Sequence, residues 1–225
     1  MIGSIDRFKF RKIRYHGQDK YALAIVGDIL KRLEMIGFSS DILKNVDGYL
    51  KRSKGYLSGL QEGKSEIVLC ELLNNASRRI SEGKYDDAVA RLYRAFELIA
   101  QIKLQGYELN DLSEGKFTLG DLEDRGIDVE RYKDCADEKG KLKLGLKKKF
   151  ELLKDLGWDK AEEIYLNNDT VKDLLRKRNS SILAHGLEPI DKESAENLLL
   201  EVEKTARDII GNYEKLKEEA TFPEL

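Results

Sequence analysis

Apolar residues recur three and four positions apart through most of the chain, the spacing of one face of an α-helix, and this predicts an all-α fold. The clearest run is KYDDAVARLYRAFELIAQIKL. Here Tyr85, Ala88, Val89, Leu92, Phe96 and Ile99 make one stripe, and Tyr93, Ala100 and Leu104 make a second. Two apolar faces predict a central helix covered from both sides. The run before it, SEIVLCELLNNASRRISEG, reads as a helix with Ser65 as N-cap and Gly83 as terminator. With so short a connection the two should form an antiparallel helical hairpin. GKLKLGLKKKFELLKDLG predicts another helix ending near Gly157, and Asp169 can cap one that runs through TVKDLLRKRNSSILAHG, stopped by Gly186 and Pro189. A last long helix is predicted from Lys192 to Glu219, with Leu198, Leu199, Val202, Ala206, Ile209, Ile210, Tyr213 and Leu216 facing inward.

Two segments break the pattern. Residues 106–140 are rich in Gly and Asp and read as an insertion of loops and short helices. In the first 60 or so residues, RFKFRKIRY alternates like a strand while YALAIVGDILKRLEMIG reverts to helical spacing. Glycines at 48, 55, 59 and 63 suggest a hinge or connector before residue 65. The expected organisation is an N-terminal extension or connector over 1–64 and a helical domain over 65–225.

Composition narrows the function classes. Charged residues make up 36% of the chain and only 2 of 225 are Pro, which suits long salt-bridged helices. The net charge of −2 supplies no global basic field, so any anion site must be local. Cys70 and Cys135 stand outside every zinc-ligand spacing and read as free or buried thiols, so no metal or cofactor is expected. GLQEGKS ends like a phosphate-binding P-loop but has Ser58 where that motif needs Gly, and no strand precedes it. Arg7 to Tyr15 interleave basic and aromatic residues, as a single-strand nucleic-acid surface does, but such a run more often forms a solvated amphipathic face, and His16 beside it reads as a surface histidine. With no segment of signal-peptide or membrane-span length, a cytoplasmic protein is expected.

The candidate chemistry lies in RNSSILAHG. Arg178 and His185 are seven residues apart, almost two helical turns, which leaves them about 20° apart around the axis. Ser181 lies between them and Asn179 beside Arg178, so one face carries a guanidinium, an imidazole and polar donors. Helical spacing alone leaves open a chance pairing. The row has a plausible use, because RNA can be cut without metal when one group takes the 2′-hydroxyl proton, another protonates the leaving 5′-oxygen, and a fixed cation stabilises the charged phosphorane. One chain offers one imidazole here, and two-fold pairing of two such helices would supply the second.

RNSSILAHG resembles the R-polar-x(4 to 6)-H signature of the HEPN superfamily. GKYDDAVARLYRAFELIAQIKL and GKLKLGLKKKFELLKDLG resemble the neighbouring helices of the HEPN domain in CRISPR-associated accessory ribonucleases of type III systems. The resemblance covers about residues 65 to 215. It implies an all-α HEPN-like helical bundle that forms a two-fold homodimer through its motif helices and cuts single-stranded RNA independently of metal, in antiviral defence. Arg178, Asn179 and His185 take the catalytic positions. Arg176, Lys177 and Ser181 are candidate RNA contacts, the first two from charge. Members of that group usually carry an N-terminal Rossmann-like sensor of cyclic oligoadenylate. No βαβ alternation is visible here, so the sensor is expected to be absent from this chain. Two other readings stay open at this point: a HEPN toxin restrained by an antitoxin, and a non-catalytic helical dimer that binds nucleotide or RNA.

Overall fold

A computed structural model describes residues 41–109, 117–179 and 189–220, with isolated helical positions between 24 and 35. The described residues fall into two compact units that divide between Ile67 and Val68. Among them every element is helical, apart from two isolated bridges, Thr118 to Lys141 and Ala136 to Leu142. The all-α class expected from the periodicity is what the chain adopts.

In the first unit, Ala24, Ile25, Asp28, Lys31, Arg32 and Met35 are helical, and α1 runs Asp41–Gln61. The glycines at 48, 55 and 59, read from sequence as a hinge, lie inside this continuous helix. Gly59 has a packing reason: a Cβ there would fall 2.2 Å from Ile67 Cδ1. Tyr56, one turn earlier, is buried and donates its hydroxyl to the Ile67 carbonyl at 3.4 Å. Close approach of two segments outweighs the modest helix penalty of glycine.

α2 (Ser65–Ser81) and α3 (Tyr85–Gln105) follow. Ser65 is the first helical residue of α2 rather than its cap. Gly83 ends α2 as expected: at φ +72 it donates to the Ile80 carbonyl while Lys84 donates to that of Arg79, which satisfies two orphan carbonyls. α3 is buried around much of its circumference: Ala88, Leu92, Ala95, Phe96 and Ile99 form one stripe, Ala100 and Leu104 a second, and Leu98 flanks the first stripe on its other edge. Backbone contacts of α3 are most extensive with α7 (Lys192–Ile209), then with α5 (Leu146–Asp155) and α6 (Asp169–Asn179). Residues 82–84 connect it to α2, and Arg79 of α2 lies 3.7 Å from Asp87 of α3, so the central helix stays beside its sequence neighbour and is also buried among later elements.

Between α3 and α5, a short α4 (Leu119–Glu123) and a 3-10 helix (Val129–Cys135) are set by local capping. Thr118 and Asp121 form a reciprocal capping box, and Asp128 accepts from the Glu130 amide. The segment is tied down by Tyr132, fully buried, whose hydroxyl donates to Asp155 at the end of α5, while Arg131 clamps the same carboxylate at 2.7 Å. The last helix, expected to be unbroken, is two: α7 and α8 (Tyr213–Glu219). Ile210 is extended and Gly211 and Asn212 turn the chain. The break keeps Ile210, Tyr213 and Leu216 buried while Leu199 and Ile209 stay partly exposed.

Candidate functional site

α6 carries the start of the candidate motif. Its N-cap is Asn168, whose Oδ1 accepts from the Val171 amide at 3.0 Å; Asp169, expected as the cap, sits in the first turn and pairs with Lys172 at 2.6 Å. That pairing holds the Asp169 carboxyl below its usual range. Val171, Leu174 and Leu175 are buried, so α6 turns this stripe toward α3 and α7. By helical geometry Arg178 falls within about 60° of all three, whereas Arg176 lies about 160° and Lys177 about 100° away from Arg178. The register of α6 thus separates Arg176 and Lys177 from Arg178 around the axis.

Those cations have different neighbours. Lys177 donates to Ser194 Oγ at 2.8 Å and lies 3.7 Å from Asp191. Asp191 is the N-cap of α7, accepting from the Ser194 amide and hydroxyl at 2.7 Å each; these bonds, the amide's first, hold its carboxyl below the usual range. Both ends of the segment that contains the motif are therefore joined by one hydrogen-bonded chain, Lys177 to Ser194 to Asp191. Arg176 instead is largely exposed and pairs with Asp173 at 2.6 Å. The side chains of Arg178 and Asn179, and all of Ser181 and His185, lie outside the described residues.

On the Arg176 side a cavity of about 500 Å³ opens between α3, the start of α5, a π-helical turn (Glu162–Leu166) and α6. Its wall carries Lys147, Lys148, Lys172 and Arg176 together with Tyr93 and Tyr165. The size is within the range of small-ligand sites, roughly 300 to 1,000 Å³. Tyr165 is held from below by Phe150, ring centroids 4.8 Å apart at 19°, and Phe150 in turn meets Phe96 and Trp158 at 6.1 and 6.3 Å. Burial pushes the Tyr165 hydroxyl pKa up, so it stays a neutral donor. The π turn leaves the Leu166 carbonyl facing Lys172, which donates to it at 3.1 Å.

α5 begins against the usual rule. No side chain caps it, no acid stands in its first turn, and Lys147, Lys148 and Lys149 follow in succession. Cations at a helix N-terminus oppose the macrodipole by about 0.3–1 kcal/mol each where exposed. Lys149 is buried, and desolvation pulls its pKa down. Sequence pattern pointed to Arg176 but not to the rest of this wall: Tyr93 read as core, and the lysine triplet only as part of a helix ending near Gly157. The legible signal was that triplet, placed where a helix favours acids.

Similarity to known proteins extends over most of this bundle. The family model described as the Csm6 HEPN domain matches residues 58–208, which include the three stretches that carried the resemblance. No curated protein and no solved structure matches the chain.

Proposed function

The chain belongs to the family of the Csm6 HEPN domain, a ribonuclease-type family of CRISPR systems, and we propose that it is a metal-independent endoribonuclease acting on single-stranded RNA. Cleavage takes place at a composite site built by two copies of the chain, in type III antiviral defence. Arg178 neutralises the phosphorane, Asn179 orients the ribose or phosphate, and the two copies of His185 take unequal roles as base and acid. The substrate's own 2′-hydroxyl is the nucleophile: its oxygen bonds to phosphorus, the bond to the 5′-oxygen breaks, and one imidazole receives the proton while the other supplies one. Ser181, Arg176 and Lys177 contact the strand.

One observation carries the reading: the family model that matches residues 58–208 takes in the whole of RNSSILAHG, with Arg178, Asn179 and His185. No helix among the described residues is long and apolar enough to cross a membrane; the reading takes the protein as cytoplasmic, where its RNA substrate would be met.

The test uses purified chain, labelled single-stranded RNA and excess chelator. Wild type should cut; Arg178→Ala and His185→Ala should each lose on the order of 10² to 10⁴ in rate, the usual contribution of such groups. Cleavage by His185→Ala at the wild-type rate sinks the assignment, and cleavage abolished by chelator sinks the metal-free chemistry. Tight binding without product from a stable dimer would make the chain a binding module, and co-purification of a small inhibitory partner would favour a toxin.

A further inference from the structure

The cavity beside α6 holds features that packing alone leaves unresolved. The start of α5, Gly145 to Lys148, lines it without a side-chain cap, and a Cβ built on Gly145 would meet nothing within 4 Å. The cations on its wall have their carboxylate partners, Glu151, Asp169 and Asp173, off the wall. Such partly exposed pairs are weak and can be replaced by an anion inside the cavity. Two tyrosines complete the wall, and the stacked Phe150 fixes the plane of one of them. A simple anion has no use for two aromatic rings, and an apolar ligand has no place among four cations. A nucleotide uses both, its base on the rings and its phosphate on the cations.

We propose that this cavity takes one nucleotide of the RNA strand away from the scissile linkage, with its base against Tyr93 and Tyr165. Its phosphate lies against Lys148, Lys172, Arg176 and the start of α5. The proposal rests on the ribonuclease reading, because α6 carries both places: Arg176 and Lys172 precede Arg178 by about 3 and 9 Å along the axis and lie about 160° and 120° from it around the axis, so the strand joins the two places by passing around α6. The cavity then sets where the strand is held, while the motif sets where it is cut.

The experiment measures binding by fluorescence anisotropy, using the full chain and a 2′-O-methylated single-stranded RNA that cannot be cut through its 2′-oxygen. Lys147→Gln with Arg176→Gln neutralises two mostly exposed cavity cations; Lys160→Gln with Lys192→Gln makes the same charge change outside the cavity. The cavity pair should raise Kd about ten-fold and the outside pair less than two-fold. The slope of log K against log salt should flatten by about 0.7 for each phosphate that is no longer neutralised. Tyr93→Leu should weaken binding by about ten-fold with the slope unchanged, since stacking releases no counterions. Equal effects of the two charge pairs, or an unchanged Kd in the cavity variants, overturn the proposal. Cleavage of unmethylated RNA by wild type is scored separately: a protein that binds through the cavity yet never cuts keeps this inference and loses the ribonuclease reading.

Discussion

Replacing Phe150 by Leu should loosen both the bundle and the cavity floor. Phe150 is fully buried in α5 and touches three rings, Tyr165 at 4.8 Å, Phe96 at 6.1 Å and Trp158 at 6.3 Å. An aromatic pair contributes about 0.5–1.5 kcal/mol beyond its buried area. The stacked Tyr165 pair should be near 1 kcal/mol and the two longer ones near the lower bound, so roughly 2 kcal/mol of ring–ring attraction disappears. The smaller side chain leaves some unfilled volume, which brings the total to about 2–3 kcal/mol. In a unit of about 150 residues, Val68–Thr221, that lowers Tm by roughly 5–10 °C. Trp158 is the sole tryptophan of the chain and adjoins Phe150, so its fluorescence reports unfolding of this unit directly. A double-mutant cycle with Tyr165→Leu should return a coupling energy of about 1 kcal/mol. Single effects that add within about 0.5 kcal/mol would mean that Phe150 does not seat Tyr165, and the rigid cavity floor would go with it.

Two further predictions concern helix ends. Glu108 holds φ +59 in the turn after α3, where Leu109 donates to the Leu104 carbonyl, an arrangement that favours glycine; Glu108→Gly should stabilise by up to about 1 kcal/mol, read as a higher denaturant midpoint at unchanged m. A lower midpoint would mean the Glu108 side chain holds the turn. Asp191→Ala removes the α7 cap and should cost about 1 kcal/mol at neutral pH. The Asp191 carboxyl has a folded pKa below its unfolded value near 3.9, so its stabilising share is present above that value and disappears as pH falls through the folded one. The gap between wild type and variant should therefore be constant from about pH 6 to 8 and narrow below about pH 4. A gap that widens in acid would contradict the cap assignment.

Periodicity revealed the helices because burial is strongly directional along them: both faces of α3 and the start and stop of α2 were visible in the order of apolar residues and in Gly83. It failed where a tertiary contact overrode a local signal. Three glycines within α1 read as a hinge, yet the close approach of Ile67 to Gly59 is a contact with a residue beyond the helix, invisible to any window over 41–61. Conversely, Leu199 through Tyr213 kept a helical spacing across Ile210 to Asn212, because a turn of three residues displaces the register too little to disturb the pattern. Asn168 took the cap from Asp169 by one position, a difference that only hydrogen-bond geometry decides.

The site divides along the same line. The motif is contiguous in sequence, so its residues could be named from spacing, and the resemblance that gave them meaning is matched by the family found over 58–208. The cavity is assembled from four elements separated by as many as 83 residues, Tyr93 to Arg176, and no window holds it. Its one local trace was electrostatic: three lysines opening α5 where the macrodipole favours acids. A helix start that is less stable alone than it could be, beside open space and rings already stacked into place, is where a phosphate-bearing strand would gain most on binding. That is why Lys147→Gln with Arg176→Gln should weaken RNA binding without lowering Tm, and a fall in both together would indicate that these cations serve the fold.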